Sequence, residues 1–477
     1  MEKPDIRSLG VFFRPKRVAV IGASERLGSW GYTITRNIVQ GGFTGDFYPI
    51  NPNAKQILGF KAYSRLSEIP VRVDLALIVL PPGKVLGAME ACVSKGVKGV
   101  VVVSSGFGEV SAEGRRLEKR LAEIAAKGGV YLLGPNCSGF FNLSYSLNAS
   151  GLDGLFLRDI PIAFVTQSGY SVDNLALDGY FSRLGFCKYV HTGNESGLTC
   201  ADFLEYFGRD LDTKVILLYM EGVTDGKRFV DVAKEVTARK PIVAFKAGRT
   251  IPGAKAMLSH TGSIAGADQI FDSIFKQAGI IRVKKLEEIL RVGHAFIYYP
   301  LLKGNRIGIF TMGGGWGVIL ADALTHQGLK VVEFPDSFRK QLASIGNMPP
   351  WVSLKNPIDI GAAFGEVSHP SKTLKMLEFI LSHGNIDGII IHGFGRLGIF
   401  SRKRQEYVSL MEDELELLDR MCELAQSYSK PLLLCSPFAY KSQTFNGLAK
   451  RGRIFHQNID EVATILSALN RYYLRNG

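Results

Sequence analysis

The fold is decided by the stretch "RVAVIGASERLGSWGYTITRNIVQGG", residues 17–42. It opens with the apolar run Val18 to Ile21, continues through a turn containing Gly and Ser, and then shows a helical pattern. A short, continuously apolar strand is typical of a parallel sheet that is buried on both faces. The stretch therefore predicts a strand, a turn and a helix, the repeating unit of doubly wound α/β domains.

The same plan occurs twice more, in "IPIAFVTQSGYSVDNLAL" (160–177) and in "RIGIFTMGGGWGVILADALTHQG" (306–328). Further apolar runs alternate with helical patterns, and they predict strands within 73–80, 96–105, 214–222, 240–248, 386–394 and 430–438. Parallel sheets of this kind bind ligands at the carboxyl ends of their strands, where helix N-termini favour phosphate. We therefore expect phosphorylated ligands, although glycine turns between strand and helix also serve packing alone.

The length of 477 residues predicts three domains, at roughly 150 residues each. We place the boundaries near residues 150 and 302, which gives domains 1–150, 151–302 and 303–477. The segments "NLSYSLNASGLDG" (142–154) and "LLKGNR" (301–306) are interpreted as connectors.

Composition excludes several classes of protein. The net charge of +13 is spread along the chain, whereas a nucleic-acid binder concentrates its charge, so no nucleic-acid partner is expected. No apolar run is long enough for a membrane span, and the N-terminus does not read as a secretory signal. The six cysteines form no Cys-x-x-Cys pair, which argues against a zinc site and a disulfide framework and favours a reducing cytoplasm.

The sequence also lacks the motifs of two common nucleotide-binding sites. Gly22, Gly28 and Gly31 do not have dinucleotide-site spacing, and the strand "FYPINP" ends without the carboxylate that would bind a ribose. The segment "GRTIPGAK" (248–255) lacks the Lys-Ser/Thr ending of a phosphate-binding loop. Neither NAD nor a nucleoside triphosphate is therefore expected to bind this chain.

His260 lies in "SHTGSIAG" (259–266), among small residues that suit neither a core histidine nor a metal site. From its surroundings alone, the imidazole is either a packing group at a helix cap or a nucleophile in a roomy turn. Neutral imidazole is a good nucleophile near pH 7 because its ordinary pKa is about 6.5.

A series of motifs then occurs in one order: "GAS…G", "YPINP", "VDLALIVLPP", "SSGFGE", "GPNCSG", "TQSG", "LYMEGVTDG" and "SHTGSIAGAD". This series resembles the α subunit of ADP-forming acyl-CoA synthetases, the acetate–CoA ligase group related to succinyl-CoA synthetase. "GGGWGVILADAL" and "NPIDIG" (356–361) resemble the third domain of that subunit. The resemblance implies a Rossmann-like CoA-binding domain at 1–150, a flavodoxin-like domain bearing a phosphohistidine at 151–302, and a third flavodoxin-like ligase domain at 303–477.

The resemblance also implies a reaction. Acyl-CoA and phosphate give acyl phosphate and CoA, a histidine accepts the phosphoryl group, and ADP receives it on an ATP-grasp subunit. This chain has no ATP-grasp half, so a separate β subunit that binds Mg-ADP or Mg-ATP is expected, in an α2β2 assembly by analogy. The substrates are CoA or acyl-CoA, phosphate and an organic acid, and no metal is expected in this chain.

The roles of individual residues follow from the same resemblance. His260 matches the phosphorylated histidine, and Glu221 matches the glutamate that holds its far ring nitrogen. The residues matching the CoA site are Gly22, Ala23, Ser24, Arg26, Gly28, Asn51, Pro52, Pro81, Pro82, Ser105, Gly106, Asn136 and Cys137. Those matching the phosphate site are Gln167, Ser168, Gly169, Thr261 and Gly262.

Three departures from the family keep alternatives open. Asn53 stands where the family often has Lys, Tyr170-Ser171 replaces Ala-Leu, and "GNESGLT" (193–199) replaces an aspartate-bearing loop. The first affects one charged contact to CoA. The other two point to an unusual acid or to a catalytically weak CoA-binding regulatory or scaffold protein, against which the retained His260 and Glu221 argue. A nucleophilic role for Cys137 is a further alternative. The histidines at 191, 294, 326 and 392 are interpreted as structural.

Overall fold

The computed structural model describes residues 5–154, 158–255, 268–361 and 370–477. The chain divides into two compact units, residues 1–293 and 294–477. Three sheets and one short hairpin are formed by the described residues. No helix among these residues is both long and apolar enough to cross a membrane.

The first unit contains two of the sheets. Its strands are β1 (Arg17–Ile21), β2 (Asp46–Ile50), β3 (Gln56–Ile57), β4 (Phe60–Lys61), β5 (Leu75–Ile78), β6 (Gly99–Val102), β7 (Tyr131–Leu133), β8 (Gly139–Asn142), β9 (Leu147–Ser150), β10 (Ile162–Thr166), β11 (Lys188–His191), β12 (Val215–Met220), β13 (Ile242–Lys246) and β14 (Ile281–Val283). Its helices are α1 (Gly10–Phe13), α2 (Trp30–Gln40), α3 (Pro82–Lys95), α4 (Ala112–Lys127), α5 (Gly169–Ser182), α6 (Cys200–Arg209), α7 (Gly226–Thr237) and α8 (Asp268–Ala278), and the division between the units falls within α9 (Glu288–Tyr298).

The first sheet confirms the interpretation of the opening stretch. Its strands are parallel in the order β2-β1-β5-β6-β7, and the apolar run from Val18 to Ile21 lies within β1. The turn after β1 needs a glycine, because Gly22 has a φ of +98° and an added Cβ would lie 2.1 Å from the carbonyl oxygen of Val79. Helix α2 then begins after Ser29, whose side chain accepts a hydrogen bond from the backbone N–H of Tyr32.

The second sheet has the order β14-β13-β12-β10-β11-β8-β9, and only its β8 and β9 edge is antiparallel. The prediction that 142–154 is a connector was wrong, because residues 147–150 form strand β9 of this sheet. The polar residues that suggested a connector are buried and hydrogen-bonded instead. Asn142 donates to the carbonyl of Phe13 at 2.9 Å, and Asn37 donates to the carbonyl of Ser150 at 2.8 Å.

The second unit has one sheet in the order β16-β15-β18-β19-β20, with β17 also paired to β15. Its strands are β15 (Arg306–Thr311), β16 (Lys330–Val331), β17 (Ile358–Asp359), β18 (Gly388–His392), β19 (Leu432–Cys435) and β20 (Phe455–His456). Its helices are α10 (Gly314–His326), α11 (Asp336–Gly346), α12 (Pro370–His383), α13 (Leu397–Phe400), α14 (Tyr407–Ser427), α15 (Gln443–Lys450) and α16 (Ile459–Asn476). Parallel strands alternate with helices here as in the first unit, so the doubly wound α/β prediction is confirmed.

Candidate functional site

The residues predicted to bind CoA follow the strands of the first sheet, at its carboxyl edge. Because all five strands are parallel, their carboxyl ends meet at this one edge. The turns after β1, β2, β5, β6 and β7 carry Gly22, Ala23, Ser24, Arg26, Gly28, Asn51, Pro52, Pro81, Pro82, Ser105, Gly106, Asn136 and Cys137.

Direct contacts tie several of these turns together. The side chain of Asn51 donates a hydrogen bond to the carbonyl of Ala23 at 2.9 Å, which joins the turn after β2 to the turn after β1. Gly106 lies against Pro82, since an added Cβ would be 2.7 Å from the Pro82 ring. The turns after β1 and β2 are therefore in contact, as are those after β5 and β6, at the edge of the sheet where ligands bind.

Cys137 is a buried thiol. Its Sγ donates to the carbonyl of His191 at 2.8 Å and accepts from the backbone N–H of Gly139 at 3.2 Å. Burial raises the pKa of Cys137 to about 12, so the group is a neutral thiol near pH 7. Because the thiolate is the reactive form, this environment argues against a nucleophilic Cys137.

His191 lies beside Cys137 and was interpreted from the sequence as structural. Its Nδ1 accepts a hydrogen bond from the backbone N–H of Ser138 at 2.8 Å, so the neutral ring carries its proton on Nε2. The hydroxyl of Ser138 lies 2.8 Å from the hydroxyl of Tyr189. The signal that the sequence offered was position, because His191 ends β11 at the ligand-binding edge of the second sheet.

One cavity of about 480 Å³ brings residues of the first sheet's turns next to the turn after β10. Predicted residues that line it are Gly28, Ser105, Asn136, Cys137, Gln167, Ser168 and Gly169. Other lining residues are Trp30, Thr33, Val103, Ser138, Gly151, Leu152, Tyr170, Asp173, His191, Gly193 and Asn194. Gly22, Ala23, Ser24, Arg26, Asn51, Pro52, Pro81, Pro82 and Gly106 are not among its lining residues.

Helix α5 points its N-terminus toward this cavity. Ser168 is its N-cap residue, and Gly169 is its first residue. Gly169 has no room for a side chain, because an added Cβ would lie 2.7 Å from the Ser138 hydroxyl and 3.1 Å from Nδ1 of His191. The free backbone N–H groups and the positive dipole end of the helix suit an anion in the cavity.

A second cavity of about 670 Å³ contains Glu221 and adjoins the first, since Gln167, Gly193 and Asn194 line both. Its other lining residues are Gly108, Arg115, Glu118, Lys119, Ala122, Glu195, Ser196, Gly222, Val223 and Thr224. Glu221 is buried and directly follows β12. His260, Thr261 and Gly262 lie outside the described residues.

The side chain of Gln167 holds the turn that carries Glu221. Its Oε1 accepts the backbone N–H groups of Glu221 at 2.6 Å and Gly222 at 3.0 Å. Its Nε2 donates to the carbonyl of Gly222 at 3.1 Å. Gln167 therefore positions the turn, and its predicted contact with phosphate remains a prediction.

Asn194 links the two sheets through carboxylates that the sequence interpretation missed. Its Nδ2 donates to Glu109 at 2.7 Å and to Glu118 at 2.8 Å, and its Oδ1 accepts from Asn136 at 3.2 Å. Burial opposes the charge of Glu109, but hydrogen bonds from Asn194 and Gly106 hold its pKa below the usual range. Across the described ranges, no group of three or more His, Cys, Asp or Glu side chains is arranged to hold a metal ion.

Comparison with known proteins decides the family. Residues 16–142 match the family model described as a CoA binding domain, and residues 160–296 match the succinyl-CoA ligase like flavodoxin domain. The chain is 40% identical over 385 residues to the acetate–CoA ligase [ADP-forming] II subunit alpha of Pyrococcus furiosus, covering 80% of this chain and 81% of that relative. The chain belongs to the ADP-forming acyl-CoA synthetases of the succinyl-CoA synthetase superfamily.

Two further matches cover nearly all of this acyl-CoA synthetase chain. The acetate–CoA ligase [ADP-forming] II of Archaeoglobus fulgidus is 34% identical over 478 residues, or 99% of this chain and 68% of the relative. The dinucleotide-forming acetyl-coenzyme A synthetase 1 of Ca. Korarchaeum cryptofilum, solved with phosphate and ADP, superposes with a TM-score of 0.84 at 32% identity, covering 97% and 96% of the two chains. The resemblance read from the motifs is thereby confirmed at the level of family and fold.

Proposed function

We propose that this chain is the α subunit of an ADP-forming acyl-CoA synthetase that converts acyl-CoA, phosphate and ADP into acid, CoA and ATP. The observation that carries the proposal is the pair of adjoining cavities in the first unit. One joins the predicted CoA residues Asn136 and Cys137 to the N-terminus of α5, and the other contains the buried carboxyl group of Glu221. A CoA-binding scaffold would need neither the glycine-lined helix terminus nor the buried carboxylate beside it.

The chemistry divides into three steps. Phosphate attacks the thioester carbonyl and CoA leaves as the thiolate, which gives acyl phosphate. A ring nitrogen of His260 then attacks phosphorus and the acid leaves as a carboxylate. An oxygen of ADP finally attacks the phosphohistidine, which gives ATP and the free ring.

Each predicted residue has a role in this scheme. The N-terminus of α5, with Ser168 as its N-cap and Gly169 as its first residue, stabilises the negative charge of the phosphoryl group during transfer. Glu221 holds the far ring nitrogen of His260, which fixes the tautomer and stabilises the charge on the phosphorylated ring. Ser24, Arg26 and Gly28 hold the phosphates of CoA. Ser105 borders its adenosine and pantetheine path, and Asn136 lies beside its thiol.

The nucleotide step belongs to a partner. We infer a separate ATP-grasp β subunit that binds Mg-ADP, in an α2β2 assembly. The name of the Pyrococcus furiosus relative, a subunit alpha, supports this inference. None of the six cysteines forms a disulfide, which supports a cytoplasmic enzyme.

The test is phosphoryl transfer to this chain. The chain is incubated with labelled phosphate and a panel of acyl-CoAs, beside His260→Ala and Glu221→Gln variants. We expect acid-labile, base-stable label on the wild type and none on His260→Ala, and the most effective acyl-CoA identifies the acid. Absence of label from a folded chain that binds CoA, also after a β subunit is added, contradicts the proposal and leaves the scaffold alternative.

A further inference from the structure

The turn after β11 lies against the turn after β7, so that the carboxyl ends of one strand from each sheet of the first unit meet. The backbone N–H of Asn194 donates to the carbonyl of Pro135 at 2.9 Å. Gly193 has no room for a side chain there, because an added Cβ would lie 2.2 Å from the same carbonyl oxygen. The backbone thus holds Asn194 beside Asn136, the residue that follows Pro135.

Two carboxylates orient the side-chain amide of Asn194. Its Nδ2 donates one hydrogen bond to Oε2 of Glu109 at 2.7 Å and another to Oε2 of Glu118 at 2.8 Å. An ionised carboxylate only accepts hydrogen bonds, so rotation of the amide by 180° would turn its oxygen toward two acceptors. The amide therefore has a single favourable orientation.

In that orientation the oxygen of Asn194 holds the side chain of Asn136. Nδ2 of Asn136 donates to Oδ1 of Asn194 at 3.2 Å, and within the described ranges this is the one hydrogen bond of the Asn136 side chain. Its second amide hydrogen and its oxygen are left for a ligand of the 480 Å³ cavity, which Asn136 lines. An amide that is already fixed at one hydrogen is a preorganised partner for the reacting end of such a ligand.

We propose that Asn194 is a positioning residue of the thioester step, in which phosphate attacks acyl-CoA: it holds the amide of Asn136 at the reacting end of CoA. This inference rests on the proposed function, in which Asn136 lies beside the thiol. Misplacing a group by about 1 Å costs up to about a hundredfold in rate. Transfer of the phosphoryl group between His260 and the nucleotide involves no CoA and should not depend on Asn194.

A purely structural role is the alternative, because Asn194 also ties helix α4 to the turn after β11. Ser196 offers a matched control in the same turn, since its hydroxyl donates to Oε1 of Glu118 at 2.6 Å. The Ser196→Ala variant removes a hydrogen bond to the same helix and leaves the hydrogen bond between Asn194 and Asn136 in place.

The experiment measures two steps of the reaction separately in the assembled ligase. Release of CoA in arsenate reports the thioester step, because acyl arsenate hydrolyses in water without an enzyme. Its substrate is the acyl-CoA that gives the most label in the panel above, which includes acetyl-, butyryl- and phenylacetyl-CoA. Transfer of label from ATP to His260 reports the nucleotide step.

The variants are Asn194→Ala, Ser196→Ala, Asn136→Gly and the double variant with both asparagines replaced. Glycine is chosen at position 136 because the φ of Asn136 is +57°, in the left-handed region. We expect Asn194→Ala to slow CoA release by about ten- to a hundredfold, with the KM for acyl-CoA within about threefold of wild type. Labelling of His260 from ATP should keep its wild-type rate.

The other variants test the route of the effect. In the Asn136→Gly background, Asn194→Ala should have little further effect on CoA release, because the two residues act in series. Ser196→Ala should lower Tm and leave both rates near wild type.

Three results overturn the proposal: an unchanged rate of CoA release in Asn194→Ala or Asn136→Gly, equal losses in both steps, or independent effects in the double variant. If Asn194→Ala does not fold, Asn194→Ser replaces it, because its hydroxyl supplies one donor for the carboxylates without the amide oxygen that holds Asn136. A wild type that releases no CoA refutes the proposed function itself. A wild type active in both steps with a normal Asn194→Ala refutes only the role of Asn194.

Discussion

Arg249 and Asp268 stand on either side of residues 250–267, and Nε of Arg249 lies 3.7 Å from Oδ2 of Asp268. Asp268 is the first residue of α8, and it also pairs with Arg282, which in turn pairs with Asp272. This cluster of charges therefore fixes the two ends of the segment that carries His260. The positions of those ends determine where a histidine between them can reach.

The first prediction concerns this cluster. Asp268→Asn removes the charge that both Arg249 and Arg282 contact, so we expect the free energy of unfolding to fall by about 1–2 kcal/mol. Phosphorylation of His260 should slow by a larger factor than the loss of stability explains, because the ends of its segment are no longer held together. Urea denaturation and the labelled-phosphate assay measure the two effects.

The matched control is Glu235→Gln, which removes the exposed ion pair between Glu235 of helix α7 and Arg239, just beyond the end of that helix. Exposed pairs of this type contribute little to stability, so both stability and rate should stay near wild type. A Glu235→Gln variant as slow as Asp268→Asn would show that the effect is not specific to the segment ends.

The second prediction concerns the thiol of Cys137. Since its pKa is raised to about 12, the folded chain should resist alkylation by iodoacetamide at pH 8.5, where an unfolded cysteine reacts readily. Cys137→Ala should retain ligase activity within about threefold, because the thiol hydrogen-bonds to backbone groups, the carbonyl of His191 and the N–H of Gly139. Rapid alkylation of Cys137 in the folded chain, together with an inactive Cys137→Ala, would restore the nucleophile hypothesis. Alkylation in urea controls for reagent quality.

The strand pattern and the family were predictable from the sequence because both depend on local signals. The order of short motifs identified the acyl-CoA synthetase family. Continuous apolar runs located nine strands, namely β1, β5, β6, β10, β12, β13, β15, β18 and β19. The site residues Asn136 and Ser168 were predicted from the family resemblance, and each lies in a turn that follows a strand, at the edge where ligands bind.

The structural features that the sequence did not predict depend on contacts between residues that are far apart along the chain. Strand β9 was missed because its polar residues look like a loop until Asn37, more than a hundred residues earlier, hydrogen-bonds to its backbone. The contact between the backbone N–H of Ser138 and the ring of His191 is a further example, since more than fifty residues separate the two along the chain.

The third prediction concerns His392 in the second unit. Burial lowers its pKa to about 4, and its ring lies 5.1 Å from that of Trp316. Between pH 6.5 and 4 the unfolded chain binds a proton that the folded chain does not, so stability is lost as the pH falls through this range. His392→Gln should reduce the loss between pH 7 and 4.5 by about 2 kcal/mol.

Urea denaturation followed by tryptophan fluorescence measures this effect, since Trp316 and Trp351 both lie in the second unit. His326→Gln is the control, because His326 is exposed on helix α10 and its substitution should leave the acid dependence unchanged. Equal pH dependence in His392→Gln and wild type would show that other groups cause the loss.

The fourth prediction concerns Lys246, which ends β13 and is buried. Its ammonium lies 4.5 Å from the centre of the Phe271 ring, and burial lowers its pKa to about 8, although Asp268 opposes the shift. Burying this charge costs stability at pH 7, so Lys246→Met should stabilise the chain by about 2–3 kcal/mol. Between pH 8 and 10.5 the folded chain loses the proton before the unfolded chain does, and the stability of the wild type therefore rises. The stability advantage of Lys246→Met should consequently shrink as the pH rises from 8 to 10.5.

The control is Lys227→Met, at an exposed position of helix α7, which should show neither the gain in stability nor its pH dependence. A Lys246→Met variant less stable than wild type at pH 7 would mean that the contacts of the ammonium outweigh the cost of burying it.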